Sequence, residues 1–441
     1  MRTVIIGAGP TGLFTAIALA RRGREVVVVD RDAGPPERGE WQRRGVMQFR
    51  HAHSFRGQVV DSLNDEMPDV LAALVSAGAS VATTRGHNGR AAALHCRRMV
   101  FEREMRRRAG TEPGVRVVTG NVNEVLVEHT RAVGVRIGSD VVDADLVIDA
   151  SGRAGRIAGT ARSRGEGADC GATYAGRQYR LRPGAEPGPT NSVIGLSLSF
   201  PEYAAVMFLH DSDTFTVTLI HSGADQRLHR LRHDTVFEAA VGTIPALADW
   251  IHPERAVPIA PVLAGGRLYN HYRGQLDGSG RPVMSGLISV GDAVCTTTPL
   301  AGRGVALAFM QARRLVRILI DHHHDIDGAT MEFDEWCTAN IKPWFADHAH
   351  VDTERVRRWS GSDIDLDRPL PSDLIVAAAD ADPRLTEVVA PYITMDALPA
   401  SLLPAAHRAR AVYASGWRPP PPAGPTLDEI ISVASRTPVA A

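Results

Sequence analysis

Residues 1–30 read MRTVIIGAGPTGLFTAIALARRGREVVVVD, and this stretch decides the fold. An apolar run at residues 3–6 leads into Gly7-Ala8-Gly9-Pro10-Thr11-Gly12, and apolar residues at helical spacing follow. The pattern predicts a buried strand, a tight turn and a helix. The four valines at residues 26–29 predict a second strand that is buried on both faces and ends at Asp30.

The glycine spacing indicates dinucleotide binding. Glycines in such a turn let the backbone approach a pyrophosphate, which lies at the positive N-terminus of the helix. An acidic residue at the end of the second strand binds a ribose hydroxyl, and Asp30 occupies that position. A glycine-rich turn without a ligand is the alternative, but the strand, the helix and the acid together favour a nucleotide.

Composition narrows the class of protein. The chain has 441 residues, 44% hydrophobic and 22% charged, which is typical of a globular protein with roughly one to three domains. A formal net charge of -1 gives no bulk field, so we expect neither nucleic acid nor a membrane as partner. The four cysteines are scattered and the N-terminus leads directly into a strand, so we expect a cytoplasmic protein without a signal peptide.

The rest of the chain predicts mixed structure. Helical spacing runs from about residue 55 to 74 with a break at Pro68, and residues 80–94 read as a strand or hairpin. Alternating apolar residues between 173 and 221 predict an antiparallel sheet. Residues 286–320 repeat the strand, turn and helix pattern, and the end of the chain beyond about residue 389 reads as a loop-like tail.

Three motifs carry a family resemblance. GAGPTG at Gly7, DASGRAGR at Asp149 and GDAVCTTTPLAGRG at Gly291, in this order, resemble those of the flavoprotein monooxygenases that share the para-hydroxybenzoate hydroxylase fold. The resemblance covers roughly residues 1–320. It implies an α/β fold with a Rossmann-like FAD-binding domain, an inserted antiparallel-sheet substrate domain and a helical C-terminal region.

The resemblance also implies a division into domains. The FAD-binding domain is expected to be discontinuous, with residues 1–79, 95–165 and 283–325. Residues 80–94 and 166–282 are expected to form the substrate-binding domain. Residues 326–441 are expected to form the C-terminal helical region and tail.

The same resemblance assigns FAD contacts. The glycine turn would take the pyrophosphate, Asp30 the adenosine ribose, Asp292 the ribityl chain and Arg98 the cofactor backbone, although Phe101 replaces the leucine usual after such an arginine. The basic loop from Arg43 is similar to an Arg-Arg-Gly-Val-x-Gln loop in squalene-epoxidase-like and polyether epoxidases. This similarity adds Arg44 and Gln48 as cofactor contacts, and the alternative is that the loop is a solvated part of the surface. The expected cofactor-binding set is Gly7, Gly9, Pro10, Thr11, Gly12, Asp30, Arg31, Arg44, Gln48, Arg98, Asp292, Pro299, Gly302, Arg303 and Gly304.

The resemblance implies an FAD-dependent monooxygenase. Such an enzyme inserts one oxygen atom from O2 into an organic substrate, by hydroxylation or epoxidation, through a flavin hydroperoxide, and an aromatic or polyketide-like small molecule is expected here. The middle motif departs from the usual Asp-Gly-x-x-Ser, which is linked to NADPH. Direct use of NADPH or NADH therefore stays open beside a separate flavin reductase as electron donor.

Two other functions stay open. The geranylgeranyl reductases also read Asp-Ala-Ser-Gly in the middle motif, which makes an FAD-dependent dehydrogenase or reductase the first alternative. A non-enzymatic redox sensor is the second. Halogenation is not expected, because the Trp-x-Trp-x-Ile-Pro signature of the flavin halogenases is absent and Lys342, the only lysine, lies far downstream.

Several residues have a structural and a functional interpretation. No catalytic residue and no metal ligand is assigned, since neither His51 and His53 nor the cluster at residues 322–324 shows a ligand pattern. Trp344 is expected in the core after a helix break, with pocket lining as the alternative. The pocket candidates, each with a structural alternative, are His210, His221, Tyr269 and Tyr272.

Overall fold

A parallel sheet lies at the centre of this computed structural model, which describes residues 1–37, 41–43, 45, 46, 48–83, 89–153, 155 and 165–439. The predicted strands at residues 3–6 and 26–29 are neighbours in it, and the valine run is covered on both sides. In spatial order the strands are β19 (Leu287–Ser289), β10 (Leu146–Asp149), β1 (Arg2–Ile6), β2 (Glu25–Asp30) and β6 (Val115–Thr119).

Different layers cover the two faces of this sheet. Successive residues of a strand point to opposite faces, so Ile5 packs in one core cluster while Val4 and Ile6 pack in another. The first cluster includes α1 (Pro10–Ala20), α4 (Arg98–Thr111) and α7 (Gly304–Asp321). The second is closed by the meander of β7 (Val122–Glu128), β8 (Arg131–Ile137) and β9 (Asp140–Asp143).

The predicted antiparallel sheet is present in the middle of the chain. Its strands, in spatial order, are β13 (Gly195–Ser199), β14 (Tyr203–Leu209), β15 (Thr214–Ser222), β12 (Ala172–Leu181) and β16 (Ala256–Pro258), with β17 (Leu263–Gly265) also pairing with β12. The helices α5 (Asp234–Val241) and α6 (Pro245–Ile251) close one face around Trp250. The other face carries a small apolar cluster that includes Tyr174 and Phe208.

Two small sheets join these layers. One contains β3 (Phe55–Arg56), β5 (Ala91–His95) and β4 (Ser80–Thr83), and the other contains β11 (Glu166–Asp169), β18 (Tyr269–Tyr272) and β20 (Cys295–Thr296). The predicted break at Pro68 separates α2 (Gly57–Glu66) from α3 (Pro68–Ser76). Proline lacks the N–H that would continue the first helix but is tolerated at the start of the second.

The C-terminal region is helical almost to its end, so the prediction of a loop-like tail was wrong. Its helices are α8 (Ile326–Asn340), α9 (Lys342–Trp359), α10 (Ser372–Ala377), α11 (Thr386–Ile393), α12 (Leu403–Ala414) and α13 (Leu427–Arg436). A capping box of Thr426 and Glu429 begins α13, whose Ile430 is buried in the core of the middle sheet. Among the described residues, no helix has both the length and the apolar character needed to cross a bilayer.

Candidate cofactor site

A cavity of about 770 Å³ lies at the carboxyl ends of the parallel strands. Its wall includes Ile6 at the end of β1, Asp30 at the end of β2, and the first residues of α1 and α7. On the far side it reaches Phe208 of the antiparallel sheet. Ligands of open α/β sheets bind outside the carboxyl ends of the strands, so this is the expected place for a cofactor.

The glycine turn has two different requirements for glycine. Gly7 has a φ of +105°, and a Cβ atom there would lie 2.5 Å from the carbonyl oxygen of Ala150. A Cβ atom on Gly12 would lie 1.9 Å from the carbonyl oxygen of Gly7. At Gly9, by contrast, a Cβ atom would meet nothing within 4 Å. Gly7 and Gly12 are therefore required by the chain itself, whereas Gly9 borders the open cavity.

The start of α1 offers free hydrogen-bond donors. Gly9 is its N-cap residue and provides no side-chain cap, and Pro10 occupies the first helical position. The first N–H groups of a helix have no partner within the helix, and the helix dipole favours negative charge beside them. A pyrophosphate at this position would supply the missing acceptors.

Hydrogen bonds from the surrounding protein fix the carboxylate of Asp30. One carboxylate oxygen accepts hydrogen bonds of 2.6 Å from the Ala8 N–H and of 2.6 Å from the Arg43 guanidinium, and the other accepts the Asp32 N–H. Arg43 also pairs with Glu102, which is fully buried. Burial alone would lower the pKa of Arg43, but the charges of Glu102 and Asp30 raise it above its usual value.

Arg43 is a residue that the sequence did not single out. The predicted contact was its neighbour Arg44, which lies outside the described residues. Arg43 lines the cavity and is almost fully buried. Sequence pattern does not predict that Arg43 faces Asp30, because the path of the loop decides this contact.

Arg98 reaches the cavity from the start of α4. Its Nε donates to Glu102 at 2.5 Å, and its Nη1 lies 3.2 Å from Nε2 of His53. Nδ1 of His53 lies 2.9 Å from the carbonyl oxygen of His51, so we assign the proton to Nδ1 and an acceptor role to Nε2. Burial, and then the charge of Arg98, lower the pKa of His53 well below its usual value. His53 is therefore a neutral acceptor that orients Arg98.

The second strand, turn and helix unit closes the other end of the cavity. Asp292 lines the cavity, and its partial enclosure by the protein raises the pKa of this carboxyl, against the charges of Arg98 and Arg153. Gly302 has a φ of +61°, and a Cβ atom there would lie 3.0 Å from Cβ of Ser54. Beyond Gly302, helix α7 begins without a capping side chain.

Unpartnered polar atoms show that this end suits a polar ligand. The hydroxyl oxygens of Ser54 and Thr297 are buried without a hydrogen-bond partner in the described part of the chain, and both residues line the cavity. No described acceptor takes the N–H groups of Arg303 and Gly304 at the start of α7. Buried polar groups are normally paired, so a bound group with its own donors and acceptors fits here.

Most of the expected cofactor-binding residues meet at this cavity. Gly12 does not line it and acts by allowing close packing against Gly7. Arg303 does not line it either, because its side chain is buried against Trp344 and Tyr392 of the C-terminal helices. The cavity-lining members of the expected set are Gly7, Gly9, Pro10, Thr11, Asp30, Arg31, Gln48, Arg98, Asp292, Pro299, Gly302 and Gly304.

The four pocket candidates from the middle of the chain do not line this cavity. His210 and His221 are buried and hydrogen-bonded to Thr216 and Ser222 of β15, respectively. The hydroxyl of Tyr269 lies 3.3 Å from the carbonyl oxygen of Arg153, and that of Tyr272 lies 3.3 Å from Oγ1 of Thr338. Within the described ranges, no group of three or more His, Cys, Asp or Glu side chains is placed to hold a metal. The cavity-lining residues that sequence reasoning missed include Arg43, Ser54, Phe208 and Thr297.

The buried histidines predict acid sensitivity. Burial lowers the pKa of His51 to about 4. Burial is also the main reason why the pKa of His210 is lowered to about 3. In the unfolded chain both groups have a pKa of about 6.5. The folded state therefore binds fewer protons below that pH, so the stabilisation is complete above pH ~6.5 and is lost as the pH falls toward the folded-state values.

We therefore expect the free energy of unfolding, measured by urea denaturation, to decrease as the pH is lowered from 7 to 5. Each of the two histidines should contribute up to about 1.4 kcal/mol per pH unit to this decrease. His210→Gln should reduce the slope of stability against pH. Equal slopes in the wild type and His210→Gln would contradict this assignment.

Comparisons with known proteins agree with this geometry. The protein family described as glucose inhibited division protein A matches residues 2–177. No curated protein sequence matches the chain significantly. The solved structure of a triple mutant of the flavin-dependent brominase Bmp2 has a TM-score of 0.65 and 16% identity, and the match covers 94% of this chain and 99% of the brominase.

Two further solved structures are similar over most of their length. PqsL, a probable FAD-dependent monooxygenase from Pseudomonas aeruginosa, has a TM-score of 0.61 and 15% identity over 82% of this chain and 98% of its own. The myxobacterial chondrochloren halogenase CndH, an FAD-dependent halogenase, has a TM-score of 0.58 and 16% identity over 93% of this chain and 96% of its own. These neighbours are oxidoreductases. The chain therefore has the flavoprotein monooxygenase fold that its three motifs predicted, a fold that flavin-dependent halogenases share.

Proposed function

We propose that this chain is an FAD-dependent monooxygenase that inserts one oxygen atom from O2 into an organic substrate by hydroxylation or epoxidation. The observation that carries the proposal is a single cavity that runs from the end of β2 at Asp30 to the antiparallel sheet at Phe208. One end suits a nucleotide and the other lies against a sheet that can hold a second molecule. Reduced FAD supplies the activation of O2.

The chain's own residues would hold FAD along this cavity. Asp30 and the start of α1 suit the adenosine and pyrophosphate, and Asp292 suits the ribityl chain. The unpartnered N–H groups at the start of α7 suit the pyrimidine, where negative charge develops on reduction. The domain division inferred from the motifs belongs to the same proposal.

The other end of the cavity would exclude water from the reacting atoms. Phe208 belongs to an apolar cluster with Tyr174, and Ala52 and Leu300 pack against this cluster. Burial raises the pKa of the Tyr174 hydroxyl, and the side chain of Gln48, which lines the cavity, acts against this shift. Apolar walls of this kind protect reactive oxygen species from water, and they favour an aromatic or polyketide-like substrate over a highly charged one.

Halogenation has less support than oxygen insertion, although halogenases share the fold. The lysine that flavin halogenases use has no counterpart at the cavity. Lys342 forms a 2.5 Å ion pair with Glu166, lies over the ring of Tyr272 and does not line the cavity. A lysine occupied in this way is not placed to act on a molecule beside Phe208.

Oxygen insertion is tested with the purified protein under 18O2. NADPH, NADH or dithionite serves as reductant, and a panel of phenols, anilines and polycyclic ketones serves as substrates. We expect at least one product to carry one 18O atom in the presence of protein and reductant. Gly9→Ala, which intrudes on the proposed pyrophosphate position, is the matched inactive control.

The reductant distinguishes the remaining alternatives. Rapid anaerobic bleaching of the flavin by NADPH or NADH would identify a self-sufficient enzyme. Product formation after dithionite alone would identify an enzyme that depends on a separate flavin reductase. Oxidation or reduction of a substrate without incorporation of 18O would replace the proposal with a dehydrogenase or reductase.

A further inference from the structure

Two arginines lie behind the loop that would hold the flavin pyrimidine. The loop runs from Pro299 to the start of α7, and Pro299, Gly302 and Gly304 line the cavity. Arg303 belongs to this loop, Arg56 binds it through backbone carbonyls, and neither side chain lines the cavity. The proposed FAD site gives them no direct contact with the cofactor.

Arg56 binds two carbonyl groups of the loop. Its Nη2 donates to Ala301 O at 2.7 Å, its Nε lies 3.4 Å from Gly302 O, and its Nη1 donates to Ile393 O at 3.0 Å. In a trans peptide the N–H group points opposite to the C=O group. The Arg303 N–H is therefore directed away from Arg56, and it has no acceptor in the described part of the chain.

Arg303 fixes the same loop to the C-terminal helices. Its guanidinium carbon lies 4.7 Å from the ring centroid of Trp344 and 4.4 Å from that of Tyr392. Its Nη1 donates to the Tyr392 hydroxyl at 2.9 Å and lies 3.3 Å from Oδ2 of Asp347. Planar stacking with a carboxylate at the edge is a geometry that lysine does not reproduce.

The two guanidinium groups leave an excess of positive charge behind the loop. Arg303 pairs with one carboxylate, that of Asp347, whereas all described hydrogen-bond partners of Arg56 are uncharged backbone carbonyls. Burial, and then the charge of Arg303, lower the pKa of Arg56 to about 10, where it remains protonated at neutral pH. Burial and the charges of Arg303 and Arg56 also lower the pKa of nearby His348, so this imidazole is neutral.

We propose that Arg56 and Arg303 are positioning residues that raise the reduction potential of bound FAD, by holding the loop that borders the pyrimidine position and by placing positive charge behind it. The inference rests on the proposed FAD site. Two electrons and one proton convert neutral oxidised flavin into its anionic reduced form, so the negative charge appears only on reduction. Positive charge close to that position stabilises the reduced form more than the oxidised form.

The test uses the FAD-loaded full chain and two pairs of variants. Arg56→Gln and Arg303→Gln remove the charge, whereas Arg56→Lys and Arg303→Lys keep it. The two-electron midpoint potential is measured by equilibration with a reference dye, and the affinity for oxidised FAD is measured separately. Arg90→Met removes an exposed arginine that pairs with Asp61 and Asp396, and it serves as the control for a surface change.

We expect each glutamine variant to lose about tenfold of its preference for reduced over oxidised FAD, which is about 30 mV for a two-electron couple. Arg56→Lys should keep most of the wild-type potential, and Arg90→Met should keep all of it. Unchanged potentials in the glutamine variants, or equal shifts in Gln and Lys at residue 56, would overturn the inference. If the Arg303 variants do not fold, the Arg56 pair decides alone. Wild-type protein that binds no FAD would instead refute the proposed function.

Discussion

Gly9→Ala should weaken FAD binding by about a hundredfold, or roughly 2.7 kcal/mol, while the protein still folds. The new methyl group would meet no protein atom within 4 Å, and Gly9 has a φ of -79°, which alanine adopts without strain. The methyl group would instead occupy the place where the backbone must approach the pyrophosphate. Fluorescence titration of the apoprotein with FAD measures the effect.

The matched control is the same substitution at Gly110. A Cβ atom there also meets nothing within 4 Å, but Gly110 is an exposed residue of α4 that does not line the cavity. Alanine is a better helix former than glycine, so Gly110→Ala should keep or slightly increase stability and leave FAD affinity unchanged. If Gly9→Ala bound FAD as tightly as Gly110→Ala does, the pyrophosphate would lie elsewhere.

Arg43→Met should destabilise the apoprotein by about 3–5 kcal/mol, because it leaves the buried carboxylate of Asp30 without its described ion-pair partner and leaves Glu102 with Arg98 alone. Arg43 pairs with Asp30 and Glu102, whose side chains are only 5% and 0% exposed. Methionine has a similar length, so loss of packing contributes little. Urea denaturation without FAD measures the change directly, since a bound ligand would add its own stabilisation.

An exposed arginine provides the comparison for this prediction. Arg90 pairs with Asp61 and Asp396, but its side chain is 57% exposed. Ion pairs at the surface contribute about 0–1 kcal/mol, so Arg90→Met should have little effect. A loss below about 1 kcal/mol in Arg43→Met would mean that the carboxylates find other partners, and the network would not be a structural requirement of the site.

The strand, glycine turn and helix that border the Asp30 end of the cavity could be predicted from sequence because their signals are local. The glycine turn, the apolar strand before it and Asp30 after β2 lie within thirty residues, and each has a direct physical role. The antiparallel sheet was likewise predicted from alternating apolar and polar residues. The observed strands β12 to β15 lie close to the predicted positions.

Other features depend on contacts between distant residues. The side chain of Arg303 follows a glycine of the cavity wall, but its environment is set by Trp344 and Tyr392, more than forty and eighty residues away. Phe208 and His210 lie two residues apart on the same chain segment, yet only Phe208 reaches the cavity. No local pattern distinguishes such neighbours.

The C-terminal helix shows a signal that sequence reasoning missed. Thr426 and Glu429 have the capping-box spacing directly before Ile430, but the run of prolines upstream suggested an extended end. The helix is kept in place by long-range contacts. Arg230 donates to the carbonyl oxygens of Ala434, Ser435 and Thr437.

The central claim is that the cavity holds FAD, and a titration of the apoprotein tests it most directly. FAD and FMN are compared by the change in flavin fluorescence. We predict saturation at one FAD per chain with a Kd below about 1 μM, and at least about a hundredfold weaker binding of FMN, which lacks the adenosine and the pyrophosphate that Asp30 and α1 would hold. Equal affinity for the two flavins, or no saturable binding of FAD, would contradict it.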